Sequence, residues 1–186
     1  MEEIVLKEIE YILEDYYDNF KNKIFDEQKS ENDVLMDIFG ITEEIKVINK
    51  QYWGRQLGLM FEKIVIEVFK RFDDGFKEAM PVGSNRPYDL QSSNEFIDTK
   101  YRIGSGDSGT LKKFKSYGKE MRKEGKIPVI LILREDNLPA AIKSLDVGGW
   151  EVYIGDKCFN YIYDKTGFKL KDYFKELKLS YDITKK

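Results

Sequence analysis

Three side chains suited to hydrolytic chemistry lie close together in the chain. Asp89 closes the run Arg86-Pro87-Tyr88-Asp89, and Asp98 and Lys100 belong to Glu95-Phe96-Ile97-Asp98-Thr99-Lys100-Tyr101-Arg102. A polar Gln91-Ser92-Ser93-Asn94 break separates the two arms, as in a hairpin. In a strand, alternate side chains share a face, so Phe96, Asp98 and Lys100 point one way and Ile97, Thr99 and Tyr101 the other. A turn centred on Ser92-Ser93 would set Asp89 across from Phe96 and diagonal to Asp98, with Cα atoms roughly 7–8 Å apart. Two carboxylates leaning together from there can share one small hard cation. Magnesium takes oxygen ligands at about 2.0–2.1 Å, usually one or two carboxylates completed by water and substrate phosphate. Lys100 would stand beside the metal-bound water, to activate it or to position it. The chemistry that such a trio serves is phosphodiester hydrolysis.

The elements that must carry these residues can be read from apolar spacing. From Trp53 to Phe72 the stripe Leu57, Met60, Phe61, Ile64, Val65, Val68, Phe69 and Phe72 predicts a helix lying on a sheet. Glu62 is at its margin and either joins the site or merely solvates the helix edge. Glu67, roughly 140° around the helix, is the weaker competitor. Gly75 to Val82 supplies a poorly marked first strand, and the hairpin follows. The loop Gly104-Ser-Gly-Asp-Ser-Gly-Thr110 leads to a helix from about Gly109 to Glu124, with Ser108 as its expected cap. Exposed amides at such a helix start suit a phosphate. The loop lacks the Lys-Ser/Thr ending of a nucleotide-binding loop, so no nucleotide cofactor is expected. Lys112, Lys113, Lys115, Lys119, Arg122 and Lys123 make that helix basic, while Leu111, Phe114, Tyr117 and Met121 can pack inward. Ile127 to Arg134, entered through Pro128, reads as a buried strand. A helix over Leu138 to Leu145, a strand over Trp150 to Ile154, and helices over Lys157 to Tyr163 and Leu170 to Leu177 complete the pattern.

The 50 residues before this region are expected to form a helical extension packed on a core at 51–186. Ile4, Ile9, Ile12, Leu13, Tyr16, Tyr17 and Phe20 recur at helical spacing over residues 2 to about 24. A polar break from Asp26 to Asn32 leads to a short helix with Val34, Leu35, Ile38 and Phe39 inward, Gly40 as its stop and Thr42 as the next cap. The extension serves either as a lid or as a docking surface for another protein.

Composition removes whole classes of activity. The 186 residues include no histidine, which excludes Ser-His-Asp and Cys-His catalysis, histidine-ligated zinc and the His-based metal-finger nucleases. The single cysteine, Cys158, cannot form an internal disulfide, so a cytoplasmic, reducing compartment is expected. The acidic Met-Glu-Glu start shows no signal-peptide pattern, and the longest apolar run, Val129 to Leu133, is too short for a membrane span. Net charge is −3, but residues 1–47 carry 5 basic and 14 acidic side chains, whereas residues 100–126 carry 9 basic and 3 acidic. One local patch attracts a polyanion and one end repels it.

With Pro87-Tyr88-Asp89 and Asp98-Thr99-Lys100 as half-motifs, the sequence resembles the PD-(D/E)XK nuclease superfamily, departing from it by one inserted residue in the Pro-Asp half. The element order over residues 50–155 matches the αβββαβ core of that fold, an α/β restriction-endonuclease-like arrangement around a mixed sheet. The resemblance implies a metal set of Asp89, Asp98, the Thr99 carbonyl and Glu62, holding Mg²⁺ with Mn²⁺ as a substitute. It implies Lys100 beside the nucleophile, and double-stranded DNA contacted by Arg102, Ser108, Lys112, Lys113 and Lys115. The acidic extension and the run from Asp98 to Gly109 are similar to the small cleavage subunit of heterodimeric type IIS restriction endonucleases and to MlyI- and PleI-like cleavage domains. That similarity implies a large nicking-endonuclease partner that reads an asymmetric site, GAGTC in those relatives, while this chain cuts the other strand. The alternatives are an autonomous structure-specific nuclease of resolvase or repair type, and a noncatalytic DNA-associated interaction module.

Overall fold

The computed structural model describes residues 32–81, 86–104 and 107–184. The chain divides into two units, Met1–Ser30 and Glu31–Lys186, and the architecture below is that of the second. The helix expected over residues 2 to 24 lies outside the described residues.

Two short helices come first. α1 (Val34–Phe39) is capped by the Asp33 carboxylate on the Leu35 and Met36 amides and stopped by Gly40 at φ 64°, a left-handed conformation that glycine adopts without a Cβ clash. Leu35, Met36 and Ile38 are its buried residues, with Val34 and Phe39 only partly so. Thr42 caps α2 (Glu43–Ile48), and α3 (Lys50–Phe72) begins three residues earlier than its apolar stripe. Leu57, Phe61, Val65, Val68 and Phe69 of α3 are buried against the sheet.

The sheet has five strands in the order β1 (Phe76–Glu78), β2 (Leu90–Ser92), β3 (Glu95–Lys100), β4 (Ile127–Ile132) and β5 (Glu151–Ile154). The pairs β1–β2 and β2–β3 are antiparallel, while β3–β4 and β4–β5 are parallel. Each parallel connection carries a helix, α4 (Ser108–Lys123) between β3 and β4 and α5 (Pro139–Gly148) between β4 and β5. α6 (Asp156–Thr166) and α7 (Leu170–Glu176) finish the chain.

β4 is apolar on both sides because it separates two cores. Val129 and Leu131 join α1, α3, α6 and α7 in one cluster; Ile130 and Ile132 join Phe114 and Met121 of α4 and Ala141 and Leu145 of α5 in the other. α4 and α5 cross so closely that a Cβ on Gly118 would stand 2.3 Å from the Gly148 carbonyl oxygen. Among the described residues no helix is long and apolar enough to cross a membrane.

Three sequence expectations need correction. The hairpin turn is Ser93-Asn94, with Ser92 level with Glu95, because Ser93 takes a positive φ of 51°. The first arm pairs as Leu90–Ser92, leaving Asp89 on a bend before it. Asp107, whose carboxylate accepts the Thr110 amide at 2.9 Å, caps α4 in place of Ser108, which is the first helical residue.

Candidate active site

The corrected turn brings the two aspartates closer than the sequence pattern suggests. Leu90 pairs with Ile97, so the register carried one residue further sets Asp89 level with Asp98. The Asp89 N–H donates to the Ile97 carbonyl at 2.8 Å, and the preceding Tyr88 ring stacks on Phe96 with centroids 4.3 Å apart. Those two contacts fix the bend that aims Asp89. Its Oδ2 accepts both the Thr99 N–H at 2.7 Å and the Thr99 hydroxyl at 2.8 Å. Asp98 Oδ1 accepts the Lys100 ammonium at 2.7 Å, which also donates to the Thr99 carbonyl at 2.9 Å.

Asp89 and Asp98 are 8% and 7% exposed, so two carboxylates share one poorly solvated place. Burial, with Asp89 beside it, pushes the Asp98 carboxyl up to about 7, against the opposing pull of Lys100. Burial alone would lower the Lys100 ammonium, but Asp98, Asp89 and Glu62 outweigh it and hold its pKa above the ordinary value. Glu62, half-buried on α3, is raised by burial first and by Asp89 second, with Lys100 and Arg86 pulling the other way. Glu62, Asp89, Asp98 and Lys100 therefore form one electrostatic cluster. Glu67 faces an apolar groove bordered by Ile38 and Leu177.

Oxygen donors of this kind fit a hard divalent cation. Asp89 Oδ2 is taken by Thr99 and Asp98 Oδ1 by Lys100, and the two carboxyls face each other. Among the described residues no three His, Cys, Asp or Glu side chains already converge on one metal position, and Glu62 lies close enough to Asp89 and Lys100 to share their field. The pair, with water, substrate oxygen or the Thr99 carbonyl, suits Mg²⁺ better than a thiophilic metal.

The basic residues fall into two groups. Lys112, Lys113, Lys115, Lys119 and Lys123 are exposed on α4 with no carboxylate partner among the described residues, and Ser108 is exposed at its start. Arg102 is instead paired, its Nε 2.8 Å from Asp136 Oδ2, with its side chain 42% exposed. The sequence pattern missed Arg134, Asp33 and Lys46, which are close together around Tyr101. Arg134 follows the apolar β4 by two residues, just before Glu135-Asp136, the one local sign that it is paired rather than solvated.

A family model described as ApaLI-like restriction endonuclease matches residues 1–178. No curated protein and no solved structure matches the chain.

Proposed function

The chain belongs to the ApaLI-like restriction endonuclease family, and from that premise we propose that it cuts duplex DNA by metal-dependent phosphodiester hydrolysis at Asp89, Asp98 and Lys100. The observation that carries the reading is the level pair of buried carboxylates with an ammonium 2.7 Å from one of them. Asp89 and Asp98 would hold Mg²⁺ or Mn²⁺ with help from the Thr99 carbonyl. The bound metal would offset phosphate charge and lower the pKa of water.

The chain's own groups account for the rest. Thr99 fixes Asp89 through two hydrogen bonds, so that carboxylate meets substrate already oriented. Lys100, 2.7 Å from Asp98 and 2.9 Å from the Thr99 carbonyl, would activate or position the nucleophile beside the metal. Glu62, whose carboxyl is raised by burial and by Asp89, would add a third ligand at the edge of the pair. Arg102, Ser108, Lys112, Lys113 and Lys115 hold the DNA backbone. The products are a 5′-phosphate and a 3′-hydroxyl.

The finer reading is a cleavage subunit that cuts one strand near a type IIS site read by a large nicking partner. A net charge of −3 supports it, since a chain that grips DNA unaided usually carries a surplus of Lys and Arg. A second reading, an endonuclease that cuts alone, is favoured by a restriction-endonuclease match over nearly the whole chain, residues 1–178. Both require the same chemistry. Asp98→Ala should lower Mg²⁺-dependent cleavage of end-labelled duplex about 10²- to 10³-fold, as loss of a major charge-stabilising group does, while far-UV circular dichroism stays unchanged. Undiminished cutting of the strand assigned to this chain would sink the assignment.

A further inference from the structure

The residue after Lys100 is tied to groups that no step above uses. Tyr101 leaves β3 on the face opposite Lys100 and is buried with α3 in the first core. Its carbonyl accepts the Arg134 N–H at 3.0 Å, as the Lys100 carbonyl accepts that of Leu133 at 3.0 Å. The Arg134 side chain then lies over the Tyr101 ring, 5.7 Å from its centroid, with Nη1 3.4 Å from the hydroxyl.

Arg134 is 5% exposed, where an isolated guanidinium would be very costly. It is matched on two sides, by Asp33 Oδ2 and by Asp136 Oδ1, each at 2.7 Å. The Tyr101 hydroxyl donates to the same Asp33 oxygen, and Lys46 Nζ is 3.3 Å from that hydroxyl. The other oxygen of Asp33 caps α1. The second oxygen of Asp136 holds Arg102. One network thus runs from the start of α1, through Tyr101 and Arg134, to Arg102.

Buried ion networks are weak contributors to stability, and apolar residues of similar size often serve a core as well or better. This one brackets the lysine of the proposed site: Thr99 is held by Asp89 on one side of Lys100, and Tyr101 by Arg134 on the other. A lysine ammonium on a flexible four-carbon stem is placed only as well as the backbone beneath it. We propose that Tyr101 and Arg134 are positioning residues for hydrolysis, locking the exit of β3 so that Lys100 and Arg102 meet one DNA strand in fixed register. The proposal rests on the catalytic reading above, but concerns how those two cations are held.

The test compares the full chain with Tyr101→Phe, Arg134→Lys, Arg134→Met and Asp98→Ala in Mn²⁺-dependent nicking of a supercoiled plasmid. Tyr101→Phe keeps the ring and should lower kcat about 10- to 100-fold, the scale of a misplacement near 1 Å. Its half-saturating DNA concentration should stay within about twofold, because the DNA-facing lysines are untouched. Arg134→Lys should regain part of what Arg134→Met loses. Backbone amide exchange gives a second readout: the Leu133 and Arg134 amides, which report the β3 exit, should exchange about tenfold faster in Tyr101→Phe, with Ile130 unchanged. Activity lost only in proportion to unfolded protein, or unchanged exchange at those amides, overturns the proposal. Failure of the catalytic reading looks different: Asp98→Ala nicks as well as the unaltered chain. If neither nicks, as a subunit that needs its partner would not, amide exchange alone decides whether the lock exists.

Discussion

At the residue scale, Asp98 is placed where its charge is unfavourable until something neutralises it. Its carboxyl is raised to about 7 by burial and by Asp89, whereas an unfolded aspartate titrates near 4. Below about pH 4 both states are protonated and the residue is neutral in the balance. Between about 4 and 7 the unfolded chain releases a proton that the folded chain keeps, so stability falls as pH rises through that window. Above 7 the full penalty is present. The metal-free protein should therefore lose stability from pH 4 to 7 at this site, and Asp98→Asn should remove that slope. Each pKa unit of penalty relieved is about 1.4 kcal/mol, and 1 kcal/mol moves Tm by roughly 2–4 °C in a chain of this size. Calorimetric melts of both proteins in chelator across that range check it; an unchanged slope in Asp98→Asn would mean that Asp98 ionises freely in the fold. Added Mg²⁺ should stabilise the original chain and not the variant. Strand alternation made Asp98 and Lys100 legible as neighbours, because two residues apart on one strand can only share a face. Asp89 was harder to place, since its level with Asp98 depends on a positive φ at Ser93. Arg134 and Asp33, 101 positions apart, met through tertiary structure that local pattern does not encode.

At the element scale, α4 joins β3 to β4 and carries most of the local positive charge. Lys112, Lys115, Lys119 and Lys123 recur at i, i+3, i+7 and i+11, an arc about 80° wide and ~16 Å long. The opposite side of the helix buries Phe114, Gly118 and Met121, so the stripe cannot rotate away without opening the second core. Trp150 Nε1 donates to the Phe114 carbonyl at 2.7 Å and pins the helix further. Each lysine that meets a phosphate contributes about 0.9 to the slope of log affinity against log salt. Replacing all four with alanine should therefore flatten the slope for duplex binding by roughly 3–4 units, and replacing one by about 1. Fluorescence anisotropy at several salt concentrations measures both; a slope unchanged in the fourfold variant would place the DNA elsewhere. The helix was legible in the sequence from its apolar spacing, and its start was misjudged by one residue because Asp107 and Ser108 are both good caps. Arg102 was read as an open DNA contact, and its pairing with Asp136 depends on the loop after β4.

At the scale of the whole molecule, charge sets how this chain must meet DNA. The order of helices and strands was legible because each apolar stripe had one period and one length that fitted it, β4 most clearly with all but its first residue buried. How the chain shares duplex cleavage was not, since one site per chain fits either a partner or a second copy. A total of −3, with 14 acidic against 5 basic side chains in residues 1–47, opposes close approach to a polyanion except along the lysine stripe. A large subunit with its own DNA surface would offset that repulsion and supply sequence reading. On this reading the chain alone, with Mg²⁺, should leave a duplex bearing one GAGTC site intact, and the large subunit alone should nick one strand. Together they should cut both strands, and the second cut should vanish with Asp98→Ala while the first persists. Labelling each strand separately resolves the three cases. Cutting by this chain alone would instead assign the whole reaction to it, and its DNA affinity would then have to come from the α4 stripe in spite of the net charge.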